Sequence, residues 1–85
     1  MKGKPKYKEG DKVKFMFDEK LWEGIIWIVD KYGTWDDPSD ASYDIMVDNW
    51  IPPYAPERGP EECLFKHITE KRVIELISEN NDTVL

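Results

Sequence analysis

One cysteine, Cys63, and one histidine, His67, are all that this 85-residue chain holds of either type. A single thiol excludes an intramolecular disulfide, and the pair falls short of the four ligands of a structural zinc site. No apolar run approaches the roughly 20 residues that a membrane-spanning helix needs. The opening Met1-Lys2-Gly3-Lys4-Pro5-Lys6 is basic with no hydrophobic signal core behind it, so a reducing, cytoplasmic setting is expected. The equipment of catalysis is equally sparse. Neither a nucleophile elbow nor a phosphate loop is present, and nothing supplies a positioned nucleophile, base and oxyanion donor together. Adjacent carboxylates such as Glu61-Glu62 face opposite ways on a strand. Asp36, Asp37 and Asp40 lack the glycine and the terminal bidentate Glu of a calcium loop and read as turn formers. The expectation is a protein without enzymatic activity, cofactor or metal.

Aromatic side chains and acidic charge are abundant. Four Trp, four Tyr and three Phe are more rings than so small a core holds, since one domain of this size buries only about 60–65% of its unfolded surface. Residues 1–14 carry six lysines against Glu9 and Asp11, a balance of +4; the other 71 residues carry 6 basic and 16 acidic side chains, a balance of −10. An acidic body repels phosphate backbones, on whose neutralisation nucleic-acid binding rests.

Five short apolar runs organise the chain. Residues 1–9 read as a flexible basic arm. After the turn signal Gly10-Asp11, Val13, Phe15 and Phe17 alternate with Lys12, Lys14 and Met16, a half-buried strand. Asp18-Glu19-Lys20 suits a hairpin connection. Leu21 to Asp30 is apolar on both faces, as expected of a long bent strand shared by two sheets of a small barrel, with Gly24 allowing a bend or a close backbone approach. Lys31 to Ala41 is a loop, and Tyr43 to Asp48 alternates as a third strand. Residues 50–62 hold four of the six prolines and cannot form a regular ladder, although prolines also lower the entropy of the unfolded loop. Cys63 to Ile68 is the fourth strand, with Leu64 and either Ile68 or Phe65 turned inward. Thr69 to Arg72 is a tight helical turn before a closing strand at Val73 to Ile77, a helix over residues 70–78 being the alternative. Residues 78–85 are expected to fray.

Gly10-Asp11-Lys12-Val13-Lys14-Phe15, Trp22-Glu23-Gly24-Ile25-Ile26 and Tyr43-Asp44-Ile45-Met46-Val47 together resemble SH3-like barrels of the Tudor, KOW and Sm-like kind. Lys66-His67-Ile68-Thr69-Glu70 followed by Val73-Ile74 resembles the last hairpin of small barrel proteins from bacterial and phage genomes. The resemblance spans about residues 8–77. It implies an all-β, five-stranded SH3-like barrel over residues 10–77, a fold that serves binding through many unrelated ligands.

Trp35 and Trp50 are placed in loops or at strand ends beside Asp36, Asp37 and Asp48. Rings next to carboxylates hold cations or anchor protein interfaces, against the simpler alternative of packing beneath the long loops. The leading expectation is a protein-binding domain anchored by Trp27, Trp35, Trp50 and Tyr54, with Asp36, Asp37 and Asp48 steering a basic partner. Pro53-Tyr54-Ala55-Pro56-Glu57-Arg58 matches the PxxPx(R/K) pattern of SH3 ligands, a match that chance often supplies; a stiff loop carrying Tyr54 is the plainer reading. Nucleic-acid binding through the lysine arm, or an acidic inhibitor that mimics nucleic acid, are the alternatives.

Overall fold

The computed structural model describes residues 5–30 and 41–80. Five antiparallel strands form one sheet: β1 (Lys12–Phe17), β2 (Lys20–Asp30), β3 (Ser42–Trp50), β4 (Glu61–Thr69) and β5 (Val73–Ser78), with spatial order β4-β3-β2-β1-β5. The first four strands run as a meander. A 3₁₀ turn at Glu70–Arg72 then returns the chain so that β5 lies beside β1. β4 and β5 form the two edges, and the sheet is not closed by pairing between them.

Alternation makes one face of this sheet the core. Val13 and Phe15 on β1, Ile26 on β2, Tyr43, Ile45 and Val47 on β3, Phe65 and Ile68 on β4 and Val73 on β5 are all buried. The β2 register explains why apolar residues on both faces do not all become core. Ile26 pairs with Ile45 and Ile28 with Asp44, so Trp27 is an extra residue in a bulge, and Trp27 and Ile28 are both exposed. A bulge also sets the spacing in β4. Tyr43 faces Ile68 while Ile45 faces Phe65, which leaves one extra residue at Lys66-His67. His67 there has φ 61°, and its backbone N–H donates to Asp44 Oδ1 at 3.0 Å. Phe65 and Ile68 therefore both turn inward despite their odd spacing, where alternation alone offers one or the other. Bulges of this kind sharpen strand twist. The sheet curls far enough for Phe65 on the edge strand to touch Phe15 and Phe17 of β1 and Trp22 of β2, with ring centroids 5.5, 5.2 and 5.1 Å away.

The segment before β1 is tied down more firmly than its composition suggests. Asp11 is buried, its side chain only 3% exposed. Its carboxylate accepts the backbone N–H of Lys8 at 3.0 Å and of Asn80 at 2.8 Å, and the Lys8 ammonium at 3.2 Å. Its backbone carbonyl accepts Ile26 N–H, while Gly10 N–H donates to Ile26 O. Gly10 takes φ 90°, a conformation that suits a residue without Cβ. Further along the arm, Lys6 N–H donates to Glu70 Oε1 and Tyr7 N–H to the Tyr43 hydroxyl, which itself donates to Glu70 at 2.6 Å. Burial, then the bond to Glu70, raises the Tyr43 hydroxyl pKa well above its ordinary value. Residues 6–9 of the expected flexible arm are thus held by hydrogen bonds, and so is Asn80 of the expected frayed tail; residues 1–4, 31–40 and 81–85 lie outside the described residues.

Gly24 faces β3 so closely that an added Cβ would sit 2.5 Å from Met46 O and 2.7 Å from Ile45 Cγ2. Gly24→Ala is expected to lower stability by about 1–3 kcal/mol through this overpacking, read from denaturant midpoints. Asp11 generates a pH-dependent prediction. Burial pushes its carboxyl pKa up, but the bonds from Asn80 and Lys8 and the Lys8 charge outweigh this and hold it below the usual range. Because the folded pKa is the lower one, Asp11 contributes stability above its unfolded pKa and loses it as pH falls through the folded value. Asp11→Asn is expected to cost about 1–3 kcal/mol at pH 7. The gap from wild type should narrow below roughly pH 4, in thermal or urea unfolding measured across pH.

Candidate functional site

Three pieces of chain meet at one end of the sheet. The β1–β2 hairpin contributes Phe17, Asp18, Lys20 and Trp22; the start of the proline-rich loop contributes Trp50, Ile51 and Pro53; β4 contributes Cys63, Leu64, Phe65 and Lys66. Between them lies a cleft of about 390 Å³, within the size range of small-ligand and side-chain pockets.

Each wall has a local cause. Phe15 pairs with Trp22 and Phe17 with Lys20, so the two rings Phe17 and Trp22 stand at the mouth of the hairpin. The Trp22 indole N–H donates to Phe17 O at 3.3 Å, which fixes the ring against its own turn. Trp50, the last residue of β3, pairs with Glu61 after a register shift. The connection that follows is folded upon itself. Ala55 N–H bonds Pro52 O, Arg58 N–H bonds Ala55 O, and Pro56–Arg58 forms a 3₁₀ turn while Pro52 is buried. A continuous polyproline II helix over Pro53–Arg58 is therefore replaced by a compact loop. Tyr54, 72% exposed, stands 6.4 Å from the Trp50 ring, and the Arg58 guanidinium lies 5.9 Å above Tyr54. Arg58 also pairs with Glu61 at 3.6 Å.

The structure brings together only part of the predicted set. Trp50 walls the cleft and Tyr54 packs beside it. Trp27 is 53% exposed on the β2 bulge and does not line the cleft. Asp48 is exposed on β3 and is likewise outside the lining. Trp35, Asp36 and Asp37 lie outside the described residues. Phe17, Trp22 and Phe65 belong to the cleft although their alternation assigns them to the core. The signal for the first two was present in the hairpin, since strand pairing across a two-residue turn sets Phe17 and Trp22 near one another. Phe65 reaches them only through the curl of the sheet, which no local pattern encodes.

Burial, followed by the nearby Glu61 charge, pushes the Cys63 thiol upward, so it is a protonated and weak nucleophile at neutral pH. Among the described residues no three His, Cys, Asp or Glu side chains converge to hold a metal. The lysine arm is partly spent, because the Lys8 ammonium bonds both Asp11 and Glu79.

The tip of the hairpin carries backbone strain. Asp18 and Glu19 have φ of 55° and 63°, the two left-handed residues of a type I′ turn, where Asn-Gly is the favoured pair. Asp tolerates this region better than Glu, whose longer side chain is less suited to bonding its own backbone. Glu19→Gly is expected to raise stability by about 0.5–1 kcal/mol, as strain relief exceeds the entropy cost of glycine. Urea unfolding checks the sign.

Against this geometry, no family model, no curated protein and no solved structure matches the chain.

Proposed function

We propose that this chain is a non-enzymatic binding domain, built as an SH3-like barrel, that grips a protein partner in the cleft between the β1–β2 hairpin and the proline-rich loop. The observation that carries the reading is the concentration of Phe17, Trp22, Trp50 and Phe65 around one open cleft, with the exposed Tyr54 ring at its edge. Tryptophan and tyrosine in partly desolvated pockets supply most of the energy at protein interfaces. The loop that holds Trp50 and Tyr54 is braced by three internal backbone hydrogen bonds, so little ordering entropy opposes binding. The return of the last strand to the first after a 3₁₀ turn, and the curl that brings β4 over β1, support the SH3-like architecture. Trp50 and Tyr54 are the anchors; Trp27 is a separate exposed ring.

Tagged protein captured from lysate with and without nuclease tests this reading when run beside two variants. A stoichiometric protein partner should survive nuclease, be lost or weakened at least tenfold by Trp50→Ala, and persist with Trp27→Ala. Such a loss corresponds to about 1.4 kcal/mol or more, ordinary for an interface anchor. Retention by Trp50→Ala with loss by Trp27→Ala would move the interface to the β2 bulge. Dependence of all capture on nucleic acid would favour the lysine arm instead.

A further inference from the structure

The charge lining the cleft has the opposite sign to that of the body. Beyond residue 14 the chain has a balance of −10, yet the ionisable side chains that line the cleft, Cys63 apart, are Lys20, Lys66 and Asp18. The two ammonium groups come from different walls, Lys20 at the start of β2 and Lys66 on β4. Neither lies within 4.0 Å of a carboxylate among the described residues, where the ion pairs join Lys8 to Asp11, Lys8 to Glu79 and Arg58 to Glu61. Glu61, the nearest strand partner of Trp50, already has Arg58 as counter-ion. The Trp50 indole N–H also has no acceptor among the described residues, so the wall offers donors more readily than acceptors.

A cation entering this cleft meets two uncompensated ammoniums and a single carboxylate. An anion meets the reverse. Charges beyond the lining are screened over roughly 8–10 Å at physiological salt, whereas groups in contact with a ligand between aromatic walls are screened far less. The local sign therefore outweighs that of the body. We propose that the cleft takes an acidic, apolar segment of a partner protein: an aromatic or branched side chain against Trp22 and Trp50, with a carboxylate between Lys20 and Lys66. This rests on the cleft being the partner site and reverses the steering expected from overall charge, under which the partner would be basic.

Three probes of one shape and different charge test it: indole-3-acetate, indole-3-acetamide and tryptamine, each titrated into the ¹⁵N-labelled protein. The indole N–H signals of Trp22 and Trp50, assigned through Trp→Phe variants, report occupancy, and that of Trp27 serves as the internal control. Indole-3-acetate is expected to bind about tenfold tighter than tryptamine, two exposed ion pairs each contributing a few-fold. The preference should vanish in Lys20→Met/Lys66→Met. Both lysines are exposed, so an unchanged thermal midpoint confirms that the variant is folded. Tryptamine binding as tightly as indole-3-acetate, or a preference that persists without the two lysines, overturns the assignment of ligand charge and leaves the cleft standing as a site. Failure of all three probes to move the Trp22 and Trp50 signals overturns both the charge assignment and the cleft.

Discussion

The contact on which this architecture turns is that of Phe65 with three rings from the far side of the sheet. Hydrogen bonding orders the strands β4-β3-β2-β1-β5, which sets β4 three strands from β1. Ring contacts nevertheless join Phe65 to Phe15, Phe17 and Trp22. Aromatic pairs in such tilted and edge-to-face geometries contribute beyond their buried area. They hold the sheet in its curl, and the curl brings β4 against the hairpin to form the cleft. Core and site thus share a residue: Phe65 is buried in one and lines the other.

At the opposite pole the sheet depends on polar groups. Asp11 gathers Lys8, Asn80 and Ile26 around one residue: its carboxylate fastens the stretch before β1 and Asn80 beyond β5, and its backbone carbonyl takes the N–H of Ile26 in β2. Buried carboxylates are costly unless their lone pairs are filled, and here three donors fill them. The Tyr43–Glu70–Lys6 cluster adds a second polar fastening over the 3₁₀ turn. An aromatic clasp thus holds the cleft end of the sheet, and hydrogen-bonded fastenings hold the other.

Local pattern made the five strands legible. Val13-Phe15, Tyr43-Ile45-Val47 and the break before Val73 are local signals bounded by turn residues, and the strands lie around them, although β3 runs on to Trp50 and β4 starts at Glu61, inside the segment whose prolines argue against a ladder. Faces were harder to read wherever the period breaks. Trp27 and His67 sit in bulges, so Ile28 turns outward and both Phe65 and Ile68 turn inward. A bulge is an insertion relative to a partner strand and therefore cannot be read from one strand alone. The candidate site was legible only at Trp50 and Tyr54, whose proline-rich setting marks them as loop aromatics. Phe17, Trp22 and Phe65 alternate like core residues, and their second role arises from a tertiary curl. Net balance carries no information on which lysines converge, so the meeting of Lys20 and Lys66 at one cleft could not be read from overall charge.

The return of β5 to β1 also bears on how the protein is made. β1 ends at Phe17 and its second partner begins at Val73. At a translation rate on the order of 5–20 residues per second, a nascent chain waits several seconds between the appearance of the two. During that interval β1 is an edge strand, with the Val13 and Phe15 side of its core not yet covered by Val73. Closing so long a loop is also slow compared with forming the adjacent hairpins. The emerging four-strand meander is thus the stage most open to mispairing during synthesis, and the arrival of β5 ends it.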